Sequence, residues 1–186
     1  MNPISQCAGS VKCSSWIGFA WGFLEATVFF VVPDVWIAWS IMHAKKAGFA
    51  SYASSIAGSL LGALLLFLVV PLIGLNFFAS IPGISLAMIG NTASLVREAG
   101  LPFSPIFVLK GVPFKVYAAT YLVGGGGLAH LLAWTVYARI VRIAPTAVIA
   151  LLLRPIVARI KMNESVLLIL YGCFWALFYA WYWSGI

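Results

Sequence analysis

Residues 16–43, WIGFAWGFLEATVFFVVPDVWIAWSIMH, are apolar on both sides of one break, Pro33-Asp34. Proline removes a helical donor and pushes the residue before it out of helical geometry, so a single straight helix through this stretch is not expected. Each arm, 16–32 and 35–43, is shorter than the roughly 20 residues a helix needs to cross a bilayer. The break also carries a carboxylate. A re-entrant pair of short helices, entering and leaving by one membrane face, accounts for both facts. Interrupted backbone is tolerated at membrane depth only where protein or a water-filled cavity surrounds it.

The rest of the chain agrees with lipid as its solvent. Of 186 residues, 63% are hydrophobic and 8% charged, and mean hydropathy is +1.07. Soluble domains carry roughly 25% charged residues, so an ordinary soluble domain is excluded. The net charge of +7 comes from only 11 Lys and Arg, scattered among apolar stretches. That distribution suits an anionic lipid surface and not nucleic acid. Cys7, Cys13 and Cys173 show no metal-ligand spacing, so no metal site and no disulfide framework are expected. Glu25 interrupts the first apolar run and no A-x-A-like site follows it, so a cleaved signal peptide is not expected either.

Outward from the first break, residues 1–15 read as a mobile polar arm, and 16–186 as a single membrane domain. Hairpin 1 occupies 16–43, and a first full span follows at 51–75. Gly58 and Gly62 form a G-x-x-x-G on that span, suited to a helix pair within the chain or between chains, which leaves homo-oligomers open. Residues 80–100 mix polar and apolar groups and read as an interfacial element. Hairpin 2, 103–123, breaks at Pro113 between Lys110 and Lys115. Glycines 124–127 lead into a span at 128–153 with a kink expected near Pro145. The last span, 165–184, ends on Trp181, Tyr182 and Trp183, residue types that anchor at membrane interfaces. The expected fold is therefore an all-α integral membrane protein with two inverted re-entrant hairpins and about three transmembrane helices. Hairpin then span, occurring twice, is the pattern of an internal repeat. Lys12, Lys45, Lys46, Arg154, Arg159 and Lys161 fall on one side against Arg97 on the other, which places the N-terminus in the cytoplasm.

Six charges fall inside the apolar segments: Glu25, Asp34, Lys110, Lys115, Arg139 and Arg142. An Asp, Lys or Arg at the centre of a membrane helix costs roughly 2.5–3.5 kcal/mol on insertion scales, so such residues usually carry function. Arg139 and Arg142, three residues apart, project from one helical face toward the hairpin carboxylates. Two acids against four bases leave a positive excess that a phosphate headgroup would neutralise. The plainer alternative is that Lys110 and its neighbours snorkel to the interface as anchors. His43 is expected at an interface and His130 buried in a span. The eight tryptophans read mostly as interfacial anchors or packing, with no cofactor-box pattern among them. No nucleophile with a paired base and no acidic metal cluster is visible, so neither an enzyme nor a cofactor is expected.

The segments GFLEA at 22–26 and VPDV at 32–35 resemble the first hairpin signature of the DedA family, also called the SNARE-associated or VTT-domain family. KGVPFK at 110–115 is similar to the family's basic-x-x-Pro hairpin motif, and RIVR at 139–142 to the paired arginines of the helix that follows. Many members carry arginines spaced R-x-x-P-x-x-R; the K-x-x-P-x-K here is similar to the shorter, YqaA-like branch. The resemblance covers residues 16–145. It implies paired re-entrant hairpins, a bacterial cytoplasmic membrane location, and movement of lipids such as undecaprenyl phosphate or phosphatidylethanolamine between leaflets. On that reading Lys115, Arg139, Arg142 and Lys110 hold phosphate, Glu25 and Asp34 pair with those bases or carry protons, and Pro33 and Pro113 make the breaks. Two other functions fit the same residues: a proton-coupled small-ion transporter, and a non-transporting membrane-assembly or scaffold protein.

Overall fold

The computed structural model describes residues 2–29, 31–109, 111–159 and 163–184, the side chains of 182–184 excepted. Among them it is all-helical, with nine α-helices and one 3₁₀ turn and no strand. In chain order these are α1 (Pro3–Gly9), α2 (Val11–Thr27), α3 (Asp34–His43), α4 (Lys45–Ile73), the 3₁₀ turn (Leu75–Ser80), α5 (Leu86–Ala99), α6 (Pro105–Leu109), α7 (Phe114–Val123), α8 (Leu128–Arg159) and α9 (Glu164–Ser184). Three of these, α4, α8 and α9, are long and apolar enough to cross a membrane.

Both sequence breaks separate helices, and in both the new helix starts immediately after proline. Pro33 caps α3 and Pro113 caps α7, neither helix having a side-chain cap. Proline suits these positions because the first helical N–H groups have no intrahelical partner to lose. The first arm ends earlier than the sequence suggests, at Thr27, whose hydroxyl bonds back to the Phe23 and Leu24 carbonyls. α4 is longer than the expected 51–75, beginning at Lys45, and α8 runs unbroken through Pro145 and Pro155 to Arg159.

The closest packing in the fold is α2 against α4. A Cβ on Gly22 would lie 2.1 Å from the Ser55 carbonyl oxygen, and one on Gly58 would lie 2.0 Å from that of Phe19. Only glycine permits this approach, so the G-x-x-x-G of α4 is used inside the chain, against α2. α3 and α8 pack on the remaining faces of α4, and α7 packs against α4 and α5. α5 buries Ile89, Thr92 and Val96 against this layer.

Two expectations about the N-terminus are corrected. The described part of the expected 1–15 arm, residues 2–15, is not unstructured: it forms α1 and the start of α2, with Asn2 and Ser10 capping the two helices through their side chains. α1 buries Ser5 and Ala8 and packs on α3. A disulfide joins Cys7 to Cys13 across the turn between α1 and α2. Spacing alone hid it, since two cysteines six apart meet only when the chain folds back between them. The tryptophans divide between packing and surface positions: Trp36, Trp39 and Trp134 are buried core, whereas Trp16 and Trp181 are exposed.

Candidate functional site

Glu25, on the last turns of α2, is buried and pairs directly with the Arg139 guanidinium of α8. Arg139 lies over the Phe114 ring at 4.6 Å from its centroid, and Phe114 in turn stacks on Trp134 at 5.3 Å. The guanidinium is thus held between a carboxylate and an aromatic face, the environment that best replaces water for arginine. Lys115, on the first turn of α7, is fully buried and donates from Nζ to the Phe29 carbonyl at 2.8 Å. That bond ties the α6–α7 break to the α2–α3 break.

Arg142 differs from its neighbour. It is half-buried, and no ion pair or hydrogen bond to it is found among the described residues. It opens into a cavity of about 360 Å³ shared with Glu25, Asp34, Thr146, Gly111 and Pro113. Asp34 is fully enclosed on the same wall, and neither of its carboxylate oxygens has a hydrogen-bond partner among the described residues. The remaining wall is made by Pro82 and Gly83 of the turn before α5 and by Trp175, Phe178 and Tyr179 of α9.

The two proline-started helices, α3 and α7, meet this cavity at their N-terminal ends, where Asp34 and Pro113 line it. A helix N-terminus carries roughly half a positive charge on unsatisfied N–H groups. Asp34 answers that charge at α3; at α7 no acidic residue lies in the first turn. Arg142 and the positive end of α7 together therefore favour an anion in the cavity, while Asp34 supplies a cavity carboxylate with no ion pair among the described residues.

Five of the six charged site candidates are placed by the structure, and Lys110 lies outside the described residues. Glu25, Lys115 and Arg139 are all buried, Glu25 paired with Arg139 and also reaching the cavity, whereas Asp34 and Arg142 line the cavity outside that pair. His43 is half-buried, with Nδ1 2.9 Å from the Trp39 carbonyl oxygen. His130 is exposed beside Phe103 and Tyr121, not buried as expected, because α8 turns that face away from the bundle. Sequence reasoning missed the α9 wall. Its signal was present: Tyr171, Trp175 and Tyr179 recur every four residues on one face of the last span.

Compared with known proteins, the chain matches no family model, no curated protein and no solved structure.

Proposed function

We propose that this chain is a lipid translocase of the DedA or VTT kind, in which the α2–α3 and α6–α7 breaks are re-entrant hairpins and the cavity between them holds a phosphate-bearing headgroup. The observation that carries the reading is Arg142, without a salt-bridge or hydrogen-bond partner among the described residues, in a cavity at the N-terminal ends of two proline-started helices, inside a bundle with three helices long and apolar enough to span a membrane. Half-helix N-termini aimed at a midplane site are the arrangement by which several transporter folds receive anionic groups. A guanidinium offers two parallel donors to phosphate, and the lipid tails would stay in the bilayer. Glu25 and Arg139 hold the site's shape, Lys115 joins the two hairpins, and Asp34 is the group placed to exchange charge with the headgroup or with a proton. The basic loops place the N-terminus in the cytoplasm of a bacterial cell membrane.

The test is headgroup-resolved translocation in proteoliposomes, comparing undecaprenyl phosphate with phosphatidylethanolamine, with and without a pH gradient. Arg142→Ala is the informative variant, because Arg139→Ala would also strand the Glu25 carboxylate. Protein-dependent flux that falls to background in Arg142→Ala supports the translocase and identifies its lipid. Background flux for wild type and variant alike favours the ion-transporter or scaffold alternatives.

A further inference from the structure

α9 stands apart from the other two spanning helices. None of its 18-residue apolar window is buried, against 33% of the corresponding window in α4, and its backbone keeps further from its neighbours than that of α4 or α8. Its outward stripe, with Ile169, Leu177 and Trp181, is strongly exposed. On the inward stripe two tyrosine hydroxyls reach the same piece of backbone. Tyr171 donates to the Val35 carbonyl at 2.5 Å, and the Tyr179 hydroxyl accepts from the Val32 N–H at 3.0 Å. These two bonds flank Pro33-Asp34. Between them along α9, Trp175 lines the cavity.

The Val32 N–H belongs to non-helical backbone, where no helical carbonyl stands in for a lost partner. A helix that touches its neighbours through side chains gives up little packing when it tilts away. We propose that Tyr171 and Tyr179 are positioning residues that clamp the backbone on either side of Pro33-Asp34, so that α9 both fixes the Asp34 carboxylate in the cavity and closes the cavity's side toward the bilayer. Release of the two hydroxyls opens that side to a headgroup whose tails never leave the lipid. The inference rests on reading the cavity as a headgroup site.

The experiment is done in proteoliposomes with a Cys173→Ser background, since Cys173 is an exposed free thiol. Val108→Cys, which lines the cavity and is buried, reports access through its rate of reaction with N-ethylmaleimide. Loss of two ordinary hydrogen bonds in Tyr171→Phe/Tyr179→Phe raises that rate by roughly tenfold or more, and shifts the pH profile of lipid flux because Asp34 loses its fixed position. Leu177→Ala, on the exposed stripe, leaves both at the wild-type level. An unchanged labelling rate in the double variant overturns the proposal. Where that variant fails to insert, Val35→Cys/Tyr171→Cys bridged by a short bifunctional thiosulfonate serves instead: bridged protein loses flux, and protein treated with the monofunctional reagent keeps it. Equal flux in both overturns the clamp. The labelling rate responds to the clamp even if no lipid moves, so a labelling response without flux would sink the transport reading alone.

Discussion

Arg139 and Arg142 stand one turn apart on α8 and meet different surroundings. Arg139 is buried against Glu25 and the Phe114 ring, so removing it leaves a carboxylate uncompensated in the interior. Breaking a buried pair by deleting one partner typically costs about 3–5 kcal/mol. Arg139→Ala is therefore expected to lower the midpoint of thermal unfolding in detergent sharply, and Arg142→Ala to cost less than about 1 kcal/mol, the range of substitutions away from packed or paired features. Equal losses in the two variants would contradict the division of roles. Lys115 belongs with Arg139: Lys115→Met removes the donor to the Phe29 carbonyl, with an expected cost of about 1.5–3 kcal/mol, the range for a hydrogen bond from a charged group. The sequence showed that these charges lie in apolar segments and that their separations allow them to converge. It did not show which arginine is paired, because two residues three apart share a helical face and only the curvature and rotation of α8 decide which one meets Glu25.

α2 and α4 are held at a distance that only glycine allows. Gly58→Ala places a methyl group 2.0 Å from the Phe19 carbonyl oxygen, and the two helices must separate to admit it. Overpacking of this kind costs typically 1–3 kcal/mol. A lowered unfolding midpoint is expected for Gly58→Ala, whereas Gly90→Ala, on α5 with no atom within 4 Å of its new Cβ, should stabilise by roughly 0.5–1 kcal/mol through helix entropy. Matching effects at the two sites would refute this account of the contact. Both breaks were legible from Pro33 and Pro113, since proline acts locally and its consequences do not depend on tertiary structure. Helix ends were less so: α2 begins five residues before Trp16 because Ser10 caps it, and α4 begins at Lys45, six residues before the expected start at 51. Hydropathy sees lipid-facing length, not the polar turns that extend a helix beyond it. The role of α9 was hidden for a related reason, because Tyr171 and Tyr179 contribute through hydroxyl bonds to backbone 136 and 147 residues away, respectively.

The N-terminal end of the molecule carries two conflicting signals about the compartment it faces. Lys12, Lys45 and Lys46 cluster near the start of α2 and α4, and Arg154 and Arg159 close α8, a bias that predicts a cytoplasmic location for this end. The Cys7–Cys13 disulfide sits at the same end, and disulfides persist in oxidising compartments and are rare in the cytosol. Positive charge acts during insertion and over many residues, whereas a disulfide between cysteines six apart forms whenever the thiols meet under oxidant. The basic loops should therefore decide the orientation, with Cys7 and Cys13 reduced in growing cells and joined after isolation in air. Acid-quenched cells expressing the Cys173→Ser protein, treated with a mass-tagged maleimide after permeabilisation, are expected to show both thiols modified. An impermeant maleimide applied to intact spheroplasts should modify neither. If the tagged reagent finds no free thiol until reductant is added, the N-terminal end faces the oxidising side. The cavity, whose wall is built by the breaks of α2–α3 and α6–α7, would then exchange its two faces, and the direction of any proton-coupled lipid movement would reverse with it.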